Sequence, residues 1–101
     1  MQKYKHELEQ LRGRIPRRHS VENVQEINII ADEYEDILKK IEAVDESSAK
    51  KTAPLFDQLY EVRAKVKSST SNKNAKKAKD QLFDEASGLM KDGLQELMEI
   101  L

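Results

Sequence analysis

The chain has 101 residues, with 18 Lys and Arg against 19 Asp and Glu and a formal net charge of −1. It contains no cysteine, which excludes disulfides, thiolate metal sites and cysteine nucleophiles. No apolar run approaches the roughly 20 residues of a membrane span, and the charged N-terminus is unlike a secretory signal. We therefore expect one soluble domain over residues 1–101, located in the cytoplasm and without a membrane partner.

The near-zero net charge is the sum of four large blocks of alternating sign. Residues 1–19 carry +4, residues 20–48 carry −7, residues 49–79 carry +7 and residues 80–101 carry −5. Sequential helices joined by short loops usually pack antiparallel as neighbours. If each block forms one helix, every basic helix then lies beside an acidic one, which favours this order of helices. The alternative is that the blocks alternate by chance, because helix surfaces are charged in any bundle.

The first predicted helix covers about residues 2–13. Gly13 and Pro16 mark its end, because glycine is common after a helix and proline cannot continue one. Ser20 is a predicted N-cap, since its hydroxyl can accept a hydrogen bond from the next helical turn. The apolar residues recur at the spacing of one helical face, at Tyr4, Leu8, Leu11 and Ile15.

The second predicted helix, about residues 20–46, has the clearest pattern, and its opposite face carries a cluster of acidic residues. Ile29 lies off the apolar stripe, so it either faces the first helix or is exposed. The stripe itself recurs every three or four residues, at Val24, Ile27, Ile30, Tyr34, Ile37, Leu38, Ile41 and Val44.

The third helix is predicted over about residues 52–68, because Pro54 fits the first turn of a helix and not its interior. The fourth covers about residues 74–100, and its apolar positions occupy about half of its circumference, more than one docking face needs. Gly88 and Gly93 mark either close packing or a break in this last helix. Strand patterns are missing, so the sequence predicts an all-α antiparallel bundle of three or four helices, with a short N-terminal and a long amphipathic C-terminal helix.

Patterns typical of catalysis and metal binding are not found. The two histidines, His6 and His19, lie on different segments and have no metal-ligand spacing. The three glycines form no phosphate-binding loop, and there is no nucleophile elbow. We therefore expect a non-enzymatic protein with no catalytic residue, no cofactor, no metal and no small-molecule substrate.

Two basic clusters are candidates for contact with an anionic partner. Such clusters can neutralise nucleic-acid phosphates, but a pI near 6.1 and the lack of interleaved aromatic residues weigh against nucleic-acid binding. The alternative is that these basic side chains are solvated in the connectors or pair with acidic helices of the same chain. The run from Arg17 to Ser20 also resembles a substrate site for an arginine-directed kinase. The clusters contain Arg12, Arg14, Arg17 and Arg18 in the first and Lys73, Lys76, Lys77 and Lys79 in the second.

The apolar end of the fourth helix is the leading candidate for a partner contact. An apolar helical stripe is more often buried in the core. Any part of this apolar face that stays exposed would bind another protein or a second copy of the chain. The predicted function is a protein–protein interaction module, such as an adaptor, assembly factor, chaperone-like protein or inhibitor. Nucleic-acid binding and a structural homo-oligomer are the alternatives. The predicted contact residues are Leu94, Leu97, Met98 and Leu101.

Overall fold

The structure is a computed structural model that describes residues 2–101, with side chains from Tyr4 onward, so Met1 of the predicted domain lies outside the described residues. Within this range there are four helices and no strand. The helices are α1 Gln2–Arg14, α2 Val21–Glu42, α3 Glu46–Ser69 and α4 Lys76–Ile100.

A side-chain cap starts α2 where the sequence predicts one. Ser20 has an extended backbone, with φ −160°, and its Oγ accepts a hydrogen bond from the backbone N–H of Asn23 at 3.0 Å. The helix ends at Glu42, earlier than predicted, so Val44 leaves the apolar stripe and is 56% exposed. Ile29, with 49% of its surface exposed, does not join the core.

The start of α3 differs from the prediction. The helix begins directly after Asp45, whose Oδ1 accepts a hydrogen bond from the Ser48 backbone N–H at 2.7 Å. The predicted start near Thr52 was wrong, because this N-cap starts a helix that continues through Pro54. Proline removes the amide partner of the Lys50 carbonyl, but Lys50 and Pro54 are both exposed, so water can bind that carbonyl.

The helices pack in an antiparallel order. α3 and α4 pack most extensively against each other, α2 packs on α3, and α1 lies against α4 and α2. Gln58 lies beside Gly93 and Lys65 contacts Glu85, so residue numbers fall along α4 as they rise along α3. The predicted all-α antiparallel bundle is therefore confirmed, and its Cα atoms extend over 44 × 22 × 17 Å.

Every helix contributes buried apolar side chains to the core. Each fully buried Leu or Ile stabilises the folded state by about 1.5–3 kcal/mol relative to an exposed side chain. The predicted stripes supply most of these residues, which include Leu8, Ile27, Ile30, Leu38, Leu55, Leu59, Phe83 and Leu94.

The two glycines of α4 have different surroundings. A Cβ at Gly93 would lie 3.1 Å from Gln58 Oε1 and 3.2 Å from the Tyr34 hydroxyl, whereas a Cβ at Gly88 would meet nothing within 4 Å. Gly93 therefore marks close packing, and the helix continues through both positions. The Tyr34 hydroxyl is buried without a hydrogen-bond partner among the described residues, and burial raises its pKa.

Ion pairs join neighbouring helices of opposite charge. Each connects a basic side chain of α1 or α3 to an acidic side chain of α2 or α4, as the alternating charge blocks predict. Exposed pairs of this kind stabilise a fold by only about 0–1 kcal/mol, so they bear on helix order more than on stability. The pairs, at 2.9–3.0 Å, are Arg14 with Glu26 and Glu33, Arg63 with Asp32 and Glu35, and Lys65 with Glu85.

Candidate binding surface

The antiparallel order brings the α1–α2 and α3–α4 connectors to the same end of the bundle. The first connector is held on α4 at two points. Ser87 Oγ donates a hydrogen bond to the Pro16 carbonyl at 2.7 Å, and His19 Nδ1 lies 3.5 Å from Asp80 Oδ1. The His19 ring also packs against Phe83, with 5.5 Å between ring centroids. These contacts fix the intervening residues beside the start of α4.

We call this region, residues 15–21 and 70–80, the basic end. Its only acidic residue is Asp80, which is near His19. None of its lysines or arginines makes an ion pair in the described part of the chain, in contrast to Arg14, Arg63 and Lys65 in the helix bodies. Six basic side chains are gathered here, all exposed except the half-buried Lys79: Arg17, Arg18, Lys73, Lys76, Lys77 and Lys79.

Two surface depressions meet at His19. The basic depression is lined by Arg17, Arg18, His19, Lys76 and Asp80. The apolar depression contains the exposed Val21 and the partly buried Val24, beside Ser69 and Thr70 at the end of α3. It is lined by His19, Val21, Val24, Gln25, Ser69, Thr70 and Lys79.

The first turn of α4 is electrostatically unfavourable as it stands. Ala75 occupies the N-cap position and provides no side-chain hydrogen bond, and no acidic residue lies in that turn. Lysines near a helix N-terminus oppose the helix dipole, at a cost of about 0.3–1 kcal/mol each. By contrast, α2 and α3 start with a capping side chain followed by Glu22 and Glu46, respectively.

The structure divides the first predicted basic cluster. Arg12 donates a hydrogen bond to Gln95 Oε1 of α4, and Arg14 binds Glu26 and Glu33 of α2. These two arginines therefore bind other helices of the same chain. Arg17 and Arg18 instead lie beside Lys76, and Lys79 lies beside His19. Two arginines of the first cluster are therefore close to two lysines of the second. Lys73 and Lys77 are exposed at the same end but line neither depression.

The predicted protein-binding residues of α4 fall into two groups. Leu94 and Leu97 are fully buried in the core, each with 0% exposure, whereas Met98 and Leu101 are partly exposed. Of the four predicted contact residues, only Met98 and Leu101 therefore have surface that a partner can reach. Their role in binding stays a prediction.

Sequence reasoning missed the apolar part of the basic end. Val21 is 73% exposed, the largest value among the exposed large apolar side chains of the described residues. Its position before the regular stripe of α2 was the available signal. In residues 2–101, no three His, Asp or Glu side chains converge as a metal would require, and no helix has the length and apolarity to cross a membrane.

Comparisons of the chain with protein-family models, with curated proteins and with solved structures give no match. The function is therefore argued from the residues of this chain.

Proposed function

We propose that this protein is a non-enzymatic protein-binding module that recognises an acidic, partly apolar segment of a partner at the basic end. One observation carries the proposal. Six basic side chains from the two connectors and the first turns of α4 lie at one end of the bundle without an ion pair among the described residues, next to a depression that contains the exposed Val21.

Charge supports an acidic partner. In the helix bodies, basic side chains of α1 and α3 bind acidic neighbours of the same chain. At the basic end no lysine or arginine makes such a pair among the described residues, so the positive charges repel one another and oppose the dipole at the uncapped start of α4. An acidic segment would remove this repulsion, and its approach would be accelerated by the positive field.

Exposed apolar surface supports a partner segment that carries apolar side chains as well as carboxylates. Val21 and Val24 offer aliphatic surface in the apolar depression, within the same end as Lys79. Exposed apolar surface rimmed by polar groups is typical of protein–protein contacts. A leucine or similar side chain of the partner would cover these valines while its carboxylates pair with the arginines and lysines.

Nucleic acid is the second candidate, because the structure unites parts of the two basic clusters. Three features favour a peptide over it. Both flanking blocks are strongly acidic, at −7 for residues 20–48 and −5 for residues 80–101, and a long phosphate backbone would meet them. No aromatic ring other than His19 lines either depression, and His19 already packs against Phe83. The overall charge is −1.

Met98 and Leu101, which are partly exposed, are a further candidate for a protein contact, including self-association. The surroundings of Met98 are polar, with Lys5, Glu9, Arg12 and Glu99 lining the same depression. This area therefore supports a docking site less well than the basic end. Light scattering over a range of concentrations measures whether the chain forms a homo-oligomer.

Fluorescence anisotropy tests the proposal with a labelled peptide rich in Asp and Glu that contains two leucines. We expect binding that weakens as salt rises. Replacing the peptide's leucines by serine, or its carboxylates by amides, should weaken binding by roughly tenfold each. Single-stranded and duplex DNA are measured in parallel.

Two variants with equal loss of charge make the test specific. Arg17→Ala/Arg18→Ala/Lys76→Ala removes three charges from the basic end, and we expect at least about a tenfold loss of peptide affinity. The matched control Lys50→Ala/Lys51→Ala/Lys91→Ala removes three exposed charges elsewhere and should bind normally. Equal losses in both variants, or no peptide binding at low salt, would overturn the proposal. Tighter binding of DNA than of peptide would replace it with the nucleic-acid alternative.

A further inference from the structure

We propose that Ser20 is a phosphorylation site for an arginine-directed serine kinase, and that its phosphate switches off binding at the basic end. Ser20 is the last residue of the α1–α2 connector and the N-cap of α2. The modification does not depend on the proposed function, whereas its effect on binding rests on that function.

The residues around Ser20 match what such a kinase recognises. Arg17 and Arg18 precede it by three and two positions, and both are exposed without an ion pair in the described chain. Kinases of this class hold arginines at these positions with carboxylates, because the guanidinium forms paired hydrogen bonds with them. Val21, 73% exposed, follows the acceptor and is available for an apolar contact.

Other serines of the same end lack these features. Ser68 and Ser69 belong to α3, and Ser69 is buried, with its hydroxyl donating to the Val66 carbonyl at 2.6 Å. No arginine lies in the four residues before Ser68, Ser69 or Ser71. Ser20 is therefore the acceptor that the local sequence selects.

The residues around Ser20 lie outside the fully buried core. None of residues 16–26 is buried, and the nearest buried side chains are Ile15 and Ile27. Segments with few buried contacts open locally at a small fraction of the global unfolding free energy. The connector is held by hydrogen bonds or ion contacts between Ser87 and Pro16, Asp80 and His19, and Asn23 and Arg18.

The reaction is a phosphoryl transfer from ATP. A bond forms between Ser20 Oγ and the γ-phosphorus while the bond from that phosphorus to its bridging oxygen breaks, ADP leaves, and the hydroxyl proton passes to the kinase's carboxylate base. The product suits the fold, because a phosphate at the N-terminus of α2 can accept from backbone N–H groups and interacts favourably with the helix dipole.

The phosphate would change the charge of the basic end. A phosphoserine carries about −1.5 to −2 charges at pH 7 and pairs strongly with arginine. Arg17 and Arg18, separated from Ser20 only by His19, are the nearest such partners in sequence. A phosphate on Ser20 would therefore occupy the arginines that the acidic peptide needs and repel its carboxylates.

A kinase assay on the full chain tests the modification. The protein is incubated with a purified arginine-directed serine kinase, ATP and Mg²⁺, and sites are mapped by mass spectrometry. We expect about one phosphate per chain, on Ser20, at a rate reduced at least about tenfold in Arg17→Ala/Arg18→Ala. Ser20→Asn is the acceptor-free control, because asparagine keeps the N-cap. No incorporation, or incorporation at another serine with Ser20 unmodified, would overturn the site.

The anisotropy assay tests the switch separately. Ser20→Asp and Ser20→Asn are both good N-caps and differ mainly in charge. We expect the phosphorylated protein to bind the acidic peptide about tenfold more weakly than the unmodified protein, and Ser20→Asp to bind more weakly than Ser20→Asn. Equal affinities would overturn the switch while leaving the modification site intact.

Discussion

The two halves of α4 have different roles although they belong to one continuous helix. The first half starts at Ala75 without a cap, and its lysines make no ion pair in the described chain. The second half supplies the fully buried Leu94 and Leu97 to the core. The abundance of apolar residues in the second half is therefore explained by packing, whereas the charge of the first half is not. Our proposal of a partner surface therefore rests on the unpaired charge of the first half and not on the apolar content of the second.

The largest expected effect separates the core of the second half from its surface. Leu97→Asp buries an unpaired carboxylate at a position with 0% exposure and should destabilise the fold by about 3–5 kcal/mol or unfold it. Met98→Asp, on the neighbouring and partly exposed residue, should cost less than about 1 kcal/mol. Urea unfolding followed by circular dichroism measures both. A stable Leu97→Asp variant would return Leu97 to the surface, as the sequence had suggested.

A cap on the first half of α4 should stabilise the protein. The backbone of Ala75, with φ −69° and ψ 158°, already suits an N-cap. We expect Ala75→Asp to raise the free energy of unfolding by about 1 kcal/mol and to weaken binding of the acidic peptide. Ala75→Asn supplies the same cap without the charge, so it should stabilise the fold with a smaller loss of affinity. A loss of stability in both variants would show that this helix start is already satisfied.

The two glycines distinguish open surface from close packing along α4. Gly88→Ala should raise the free energy of unfolding by about 0.5–1 kcal/mol, because alanine favours helix and no atom lies within 4 Å of the new Cβ. Gly93→Ala should gain less or lose stability, since the buried Tyr34 hydroxyl at 3.2 Å cannot move away easily. Thermal unfolding ranks the two variants, and equal gains would contradict the packing at Gly93.

The smallest expected effect concerns the capped start of α3, which contrasts with the uncapped start of α4. Hydrogen bonds from Ser48 lower the pKa of Asp45 below its ordinary value of 3.8. Its contribution to stability is therefore present above that pH and is lost as the pH falls through the lower folded-state pKa. Asp45→Asn keeps the cap and lacks this titration. The variant should lose less stability than the parent between about pH 6 and pH 2.5 in urea titrations. An equal loss would contradict the role of Asp45.

Local sequence signals predicted most of the fold. The Ser20 cap, the apolar stripes of α1 and α2 and the alternation of charged helices are each determined by neighbouring residues. The structure has all of them, apart from Val44 at the end of the α2 stripe. The start of α3 was missed because the sequence argument placed Pro54 in the first turn of the helix, whereas the helix starts after Asp45. Pairing across the bundle could not be predicted, since Arg14 finds Glu26 and Glu33 only after the helices dock.

The candidate surface depended still more on the tertiary structure. The sequence identified both basic clusters but could not say that Arg17 and Arg18 lie beside Lys76, because those residues are distant in the chain. Periodicity marked Leu94 and Leu97 as apolar face residues, and only packing decides how much of a broad apolar face is covered. Val21 escaped notice because exposure of a residue in a first helical turn depends on its neighbours in space.

Backbone amide chemical shifts measured during titration with the acidic, leucine-containing peptide test the partner surface most directly. The basic end and residues 94–101 lie at opposite ends of α4, in a bundle whose long axis is 44 Å. A Debye length at physiological salt is only about 8 Å, so a peptide bound at one end should leave the other end little changed. We expect the largest shift changes in residues 15–25 and 69–80, and none of comparable size in residues 94–101. Changes centred on residues 94–101, or none at a peptide excess, would contradict a partner surface at the basic end.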